Sequence, residues 1–327
     1  MERIYRDADV DASILKDKTI AVIGYGIQGK AQAANTRDSG FKVIVGCRGK
    51  DEGSASRDQA KADGFDAMSV ADATRKADVL LIELADPVQP AVYKRDIAPN
   101  LRAGQTLCFC HGFSVLYGQI QPPKDVNVVL YVPNAPGAFV RTKFQKGEGV
   151  YGCVSVDHDA TGNAKQIVLA ISKAVGSTRA GVVEMTFQHE TEGDNFEEQI
   201  LYGGAIHLMR ACFEVMVKNG YPPSFAYAKA IRSLRSVIDV MDERGIEEYL
   251  TKGCSRTCEF AVRTRGPRVI NRAEIEKVFE ETERGIFARD WMQEWALGMP
   301  QLHRLRRTAA ESDMEKTGTT WRKEFGK

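Results

Sequence analysis

A glycine-spaced turn placed directly behind an apolar run constrains this chain more than any other feature. The stretch reads Thr19-Ile-Ala-Val-Ile-Gly24-Tyr25-Gly26-Ile27-Gln28-Gly29-Lys30. Five strand-forming residues lead into G-x-G-x-x-G, and helix-forming residues follow. In such a turn Gly24 reverses the chain, Gly26 lets a pyrophosphate approach the backbone, and Gly29 lets helix and strand pack closely. The N–H groups of the helix start, left without partners in the helix, then face the phosphates. Glycine turns also end ordinary strands, so the motif alone is weak. The strand before it and the helix after it turn it into a dinucleotide-site candidate comprising Gly24, Tyr25, Gly26, Ile27, Gln28 and Gly29.

The chain then alternates as an α/β domain should. A helix to Asp38 ends at Ser39-Gly40, and Phe41 to Gly46 reads as the second parallel strand, completing a β-α-β unit. An NAD-selective site commonly places Asp or Glu just after this strand to hold the ribose diol. Here Cys47 and Arg48 are followed by Lys50, Ser54, Ser56 and Arg57. Cations and hydroxyls suit a 2′-phosphate, so NADPH is expected over NADH, although Asp51 or Glu52 can turn to the ribose instead. Further strands are expected over 77–83, 106–110, 126–132 and 150–156, with a helix over 163–175. His111 lies at the end of the 106–110 strand and Asn134 after the 126–132 strand, at the sheet edge where α/β ligand sites form.

Beyond Glu184 the strand pattern gives way to helical segments near 195–219, 224–242 and 272–297. Two domains are therefore expected, 1–185 of Rossmann-like type and 186–327 all helical, as a length of 327 residues suggests. Apolar residues around much of the circumference of these helices call for more than one neighbour, which points to a homodimer through the helical domain. The polar tail after Leu305 reads as loose.

A formal net charge of +1 gives no reason to invoke nucleic acid or an anionic membrane. The first residues do not read as a signal peptide and no apolar run approaches about 20 residues, so the expected location is cytoplasmic. Seven cysteines are scattered. Cys108 and Cys110 read as small buried hydrophobes, and no cysteine cluster has metal-site spacing.

Acidic residues crowd one stretch: His189, Glu190, Glu192, Asp194, Glu197 and Glu198. Asp194 and Glu198 are four apart, so on a helix their carboxylates share a side and suit one Mg²⁺ at most. A solvated acidic helix start is the plainer reading of the spacing alone. A second helix carries Lys229, Arg232, Ser233 and Arg235, cations that suit an anionic substrate or product.

Several stretches carry a family resemblance. They are Gly24 to Gly29, Ala31 to Gly40, Val88 to Leu101, His111-Gly-Phe113, Gln119 to Val126, Asp159 to Lys165, Gly176 to Gly181, and Asp194-Asn-Phe-Glu-Glu198 with Gly203-Gly204. Together they resemble ketol-acid reductoisomerases of the short, class I kind over nearly the whole chain. The resemblance implies an NADPH- and Mg²⁺-dependent reaction, in which an acetohydroxy acid undergoes an alkyl shift and the resulting 2-keto acid is reduced. It also implies a knotted helical domain that pairs with a partner subunit, Asp194 and Glu198 as metal ligands, and His111 beside the substrate. For His111 the plain alternative is a residue that merely caps a strand end.

Three positions depart from the family pattern. Its Pro-Lys-Gly-Pro-Gly reads Pro133-Asn134-Ala-Pro-Gly137. Two glutamates of its second metal helix are Lys229 and Ser233. Its Ser-Asn-Thr-Ala-Glu-Tyr reads Ser255-Arg-Thr-Cys258-Glu259-Phe260. Alkyl migration needs strong polarisation of the ketol oxygens, whereas hydride delivery needs a bound nicotinamide, an oriented acceptor and a proton source. The sequence therefore leads to the expectation of an NADPH-dependent reductase without the migration step. Its acceptor would be a ketone or an iminium- or dihydropyridine-like bond in specialised, natural-product metabolism. Lys229, Ser233, Ser255 and Asn134 would hold the substrate, with His111, Asp194, Glu198 and Glu259 as catalytic candidates. The alternatives are a genuine Mg²⁺-dependent reductoisomerase acting on acetolactate, and a non-catalytic dinucleotide-binding protein.

Overall fold

The computed structural model describes residues 3–48 and 54–325. Gly49, Lys50, Asp51 and Glu52, which bear on the choice of dinucleotide, lie outside the described residues. The chain divides into two compact units, Met1–Gly193 and Asp194–Lys327.

The first unit is built on one nine-stranded sheet. Its strands are β1 (Ile4–Tyr5), β2 (Thr19–Ile23), β3 (Lys42–Cys47), β4 (Asp66–Ser69), β5 (Val79–Ile82), β6 (Thr106–Phe109), β7 (Asn127–Pro133), β8 (Gly152–His158) and β9 (Val182–Glu184), in the order β1-β9-β8-β7-β6-β5-β2-β3-β4. The six strands from β4 to β7 across the sheet are parallel. β8 runs antiparallel to β7, β9 is parallel to β8, and β1 closes the edge antiparallel to β9. Every residue of β2, β5 and β6 is buried, which is why these strands read as continuous apolar runs rather than alternating ones. Ile20, Val22 and Ile23 are fully buried, each contributing about 1.5–3 kcal/mol from removal of apolar surface from water.

Helices cover both faces. α1 (Ile27–Asp38) and, later in the chain, the helix Ala164–Val175 pack with Val22, Val45, Leu81 and Val129 on one side. On the other side lie Ala21, Ile23, Leu80, Ile82 and Leu107 with residues of the helix Val70–Lys76 and of the turn Tyr93–Ile97. A shorter α2 (Ala55–Ala62) precedes β4. The chain leaves β2 for β3 and β4 in one direction and for β5, β6 and β7 in the other. A crevice for ligands therefore opens at the carboxyl ends of β2 and β5.

The second unit is helical throughout its secondary structure. Its helices of ten or more residues are Gly203–Lys218, Ser233–Arg244, Arg256–Arg265, Arg272–Glu283, Ile286–Ala296, Pro300–Ala310 and Asp313–Phe325. The segment expected as one helix over 272–297 is two, broken at Gly285, whose φ is +68°. The tail after Leu305 is not loose. It continues to Ala310 and resumes as Asp313–Phe325, where Met314 and Trp321 join Phe213, Ala226 and Tyr227 in the unit's core. At Gly318 a Cβ would meet the Tyr227 ring at 2.7 Å, so that helix lies tight on Tyr227. This core is small, and Leu201, Ile206, Leu208, Val215, Ile238 and Val262 are exposed in the single chain.

Candidate functional site

The glycine turn is shaped by close contacts. Gly24 has φ +99°, and a Cβ there would lie 2.7 Å from the Glu83 carbonyl oxygen at the end of β5. At Gly29 a Cβ would overlap the Gly24 carbonyl, so the first turn of α1 rests directly on the loop. Gly26 is the N-cap of α1 and has nothing within 4 Å of where a Cβ would be. Its open side leaves room for a phosphate against free helix N–H groups. Tyr25 is buried, donates to Asp63 Oδ2 at 2.9 Å and packs edge-on to Phe65. Burial and the Asp63 carboxylate push its phenol up, so it stays protonated. Gln28 donates from Nε2 to the Ala135 carbonyl at 2.8 Å, tying the loop to the segment after β7, while Ile27 is exposed.

A cavity of about 400 Å³ lies against this loop. Its walls bring Gly24, Tyr25 and Gly26 together with Arg48, Ser54 and Ser56 on one side and Val88, Val92 and Arg95 on the other. Ser54 caps α2 by accepting from the Arg57 N–H at 3.0 Å. Arg57 itself does not line the cavity; its Nε donates to the Ala67 carbonyl at 3.4 Å.

Under the loop sits a residue that sequence reasoning passed over. Glu83 is half-buried with its carboxyl oxygen Oε2 shut off from solvent, and desolvation pushes its carboxyl up to about 7 against the opposing effect of Gln32 and Cys110. Gln32 in turn donates to Cys110 Sγ at 3.4 Å. A polar residue at the end of an apolar strand, Ile82-Glu83-Leu84, was the signal available.

His111 follows β6 at the same edge. Its Nδ1 lies 3.0 Å from Asp86 Oδ2, and its ring lies beside Phe113. Asp86 therefore fixes the ring and favours a proton on Nδ1. Behind His111, a Cβ at Gly112 would overlap Thr191 Oγ1, so the turn is packed hard against Thr191 of the helix Phe187–Phe196. Asn134 is exposed and its amide reaches Cys153 Sγ at 3.4 Å.

In the helical unit, three one-turn π segments fall at Glu197–Tyr202, Ala228–Arg232 and Tyr249–Gly253. Single π turns often accompany functional positions because they re-aim side chains. The first contains Glu198 and follows Asp194. Asp194, Glu197 and Glu198 surround the Tyr202 hydroxyl, which hydrogen-bonds Glu197 and is pushed up by that bond. The second contains Lys229, exposed with Nζ 5.5 Å from the Phe225 ring centre. Ser233 follows it and donates to the Ala228 carbonyl at 3.4 Å. Beyond the third lie Ser255, which caps the helix Arg256–Arg265 by accepting from the Cys258 N–H at 3.2 Å, and Glu259. Glu259 pairs with Arg256 at 3.0 Å and Arg263 at 3.2 Å, and these bonds hold its carboxyl below the usual range.

Two bound Mg²⁺ ions do not fit this residue set. Lys229 and Ser233 present an ammonium and a hydroxyl, and no group of three or more His, Cys, Asp or Glu side chains able to hold a metal forms among the described residues. One Mg²⁺ fits the Asp194 and Glu198 pair, because that ion takes one or two protein carboxylates and completes its shell with water and substrate oxygens. The carboxylate crowding around Tyr202 supplies a negative field for it.

Residues 14–181 match the NADPH-binding domain of acetohydroxy acid isomeroreductase, and residues 187–326 match the C-terminal domain of ketol-acid reductoisomerase. Among curated relatives, "Ketol-acid reductoisomerase (NADP(+))" of Methanocaldococcus jannaschii is 43% identical over 100% of this chain and 99% of its own length. The protein of that name from Methanopyrus kandleri is 42% identical with the same coverage. Among solved structures, an NADH-preferring ketol-acid reductoisomerase from an uncultured archaeon superposes with a TM-score of 0.94 at 40% identity, covering 99% of this chain and 100% of that one.

Two expectations are corrected by these findings. The chain does not stand as a reductase diverted to natural-product metabolism, because relatives 42–43% identical over its full length are named for the reductoisomerase reaction itself. The expected preference for NADPH over NADH is overturned by the 0.94 superposition on an NADH-preferring structure. Of the two arginines assigned to a 2′-phosphate, Arg48 lines the cavity and Arg57 donates from Nε to the Ala67 carbonyl at 3.4 Å.

Proposed function

This chain belongs to the ketol-acid reductoisomerase family, and we propose that it carries out that family's reaction on a 2-acetohydroxy acid such as acetolactate. It is an NAD(P)H-dependent oxidoreductase by family, and the proposed reductant is NADH, used at least as well as NADPH. The observation that carries the reading is the full-length likeness together with the glycine turn, whose open Gly26 face adjoins the 400 Å³ cavity.

In this reading Gly24, Tyr25, Gly26, Ile27, Gln28 and Gly29 form the pyrophosphate turn, and Arg48, Ser54 and Ser56 face the adenosine ribose. His111, oriented by Asp86, exchanges a proton at Nε2 with the substrate oxygens. Lys229, Ser233 and Ser255 are the helical unit's candidates for the anionic substrate and Asn134 is the first unit's; a lysine is a point charge, so it neutralises a carboxylate without templating two oxygens. Asp194 and Glu198 would hold one Mg²⁺, which when bound would polarise the ketol oxygens. Glu259, already paired with two arginines, orients that segment rather than supplying a proton.

The helical run Phe187–Lys218 spans 32 residues, is long and apolar enough to cross a membrane, and is only 6% buried over its most apolar window. Homodimerisation through this unit would cover the exposed Leu201, Ile206, Leu208 and Val215, and a cytoplasmic dimer is the proposed state. The test of the activity is oxidation of NADH and of NADPH by the purified protein with acetolactate, with Mg²⁺ and with chelator. Metal-dependent turnover is the expected result; no turnover with either dinucleotide would refute the proposal.

A further inference from the structure

Two of the seven cysteines stand four residues apart in Cys254-Ser-Arg-Thr-Cys258, and no role assigned above uses their thiols. Cys254 is extended, with φ −131° and ψ 171°, one residue before the Ser255 N-cap. Cys258 is the third residue of the helix Arg256–Arg265. The two residues stand at N′ and N3 on either side of the Ser255 cap, so both side chains belong to one helix start, where each thiol acts on the other. The Tyr249 hydroxyl hydrogen-bonds Cys258 from the preceding π turn. Cys254 Sγ also donates to the Leu250 carbonyl at 3.4 Å and lies 3.6 Å from the Ser255 carbonyl.

Both side chains are partly exposed, so a small reagent can reach either sulfur. Cys47, Cys108 and Cys153 are buried instead, and Cys212, though exposed, has no cysteine near it in sequence. Bridging two residues that one helix cap already brings together asks for little backbone movement, which is the main obstacle to forming such a bond.

We propose that Cys254 and Cys258 form a reversible dithiol–disulfide pair that is oxidised by low-molecular-weight disulfides. One cysteine thiolate attacks a sulfur of the reagent, forming a mixed disulfide and expelling one small thiolate. The second cysteine attacks the protein sulfur of that mixed disulfide, forming the Cys254–Cys258 bond and expelling the second small thiolate. The protein loses two electrons and two protons, and both end on the two small thiols released. The bond spans Ser255 and ties the residue ahead of the cap to the first helical turn. It also removes the Cys254 donor from the Leu250 carbonyl.

The full-length protein supplies the test. After incubation with oxidised glutathione, free thiols are blocked and the chain is cut by trypsin, which cleaves after Lys252, Arg256 and Arg263. The fragments 253–256 and 257–263 are then separate peptides, joined only if the bond has formed. The expected result is a joined pair that a reducing agent releases, with Cys212 outside it. A Cys258→Ser chain, lacking the second thiol, should accumulate glutathione on Cys254. Free thiols at both positions, stable glutathione adducts on each, or linkage to Cys212 or to a second chain would overturn the proposal. So would an unmodified Cys254 in the Cys258→Ser chain. None of these readouts depends on turnover, so they stand apart from the proposed activity.

Discussion

Glu83→Gln isolates the buried acid beneath the glycine turn. In the folded chain its carboxyl is pushed from an ordinary value near 4.5 up to about 7 by desolvation, and once unfolded it returns to the ordinary value. Below pH 4.5 it is protonated in both states and favours neither. Between pH 4.5 and 7 the unfolded chain ionises while the folded chain keeps its proton, so stability falls as pH rises and levels off above 7. The interval is worth about 3 kcal/mol at about 1.36 kcal/mol per pH unit. Glutamine keeps the shape and the contacts to Gln32 and Cys110 but cannot ionise. The advantage of the variant over the parent should therefore grow from about 1 kcal/mol at pH 5 to about 3 kcal/mol at pH 8. Melts of both chains followed by circular dichroism should show the gap in Tm widening by roughly 4–8 °C between those pH values. A gap that stays constant with pH, or narrows, refutes the buried-acid assignment, since any fixed packing change from the substitution cancels in that comparison.

Gly26→Ala meets open space, so it should fold with nearly unchanged Tm yet weaken dinucleotide binding roughly tenfold by crowding the phosphates. Gly29→Ala should unfold or lose binding altogether, because its Cβ overlaps the Gly24 carbonyl; titration of protein fluorescence with NADH compares the two. Asp86→Ala removes the acceptor that orients His111 and should lower kcat about 10²-fold with little change in KM, read from steady-state kinetics. Arg57→Ala should leave the ratio of kcat/KM for NADPH and NADH within about twofold, because its guanidinium is turned to Ala67; a large fall for NADPH alone would show that it reaches the 2′-phosphate.

What could be read from sequence followed burial. β2, β5 and β6 are buried along their whole length, so their apolar runs stood out, and the glycine turn located the switch point between β2 and β5. β4, with only Asp66-Ala-Met-Ser69 at the sheet edge, has too little apolar signal to be seen, and two-residue β1 has less. The last helix looked loose because charged residues dominate it, while three positions, Met314, Gly318 and Trp321, dock it on Tyr227. His111 was visible from its place after a strand. Its partner Asp86 was not, because 25 residues separate the two and only the parallel pairing of β5 with β6 brings them together. The π turns that carry Glu198 and Lys229 leave no trace in residue spacing, and the direction of Arg57 depends on a backbone carbonyl in β4.

The most direct test of the account follows the migrating carbon. Acetolactate labelled with ¹³C in the methyl group on C2 would be converted by the purified protein with NADH and Mg²⁺, and the product read by NMR. The account predicts a dihydroxy acid whose labelled methyl has moved to C3 and shares that carbon with the second methyl group. A reduced product with the label still on C2 would show carbonyl reduction without migration, and would contradict the assignment of the reductoisomerase reaction to this chain.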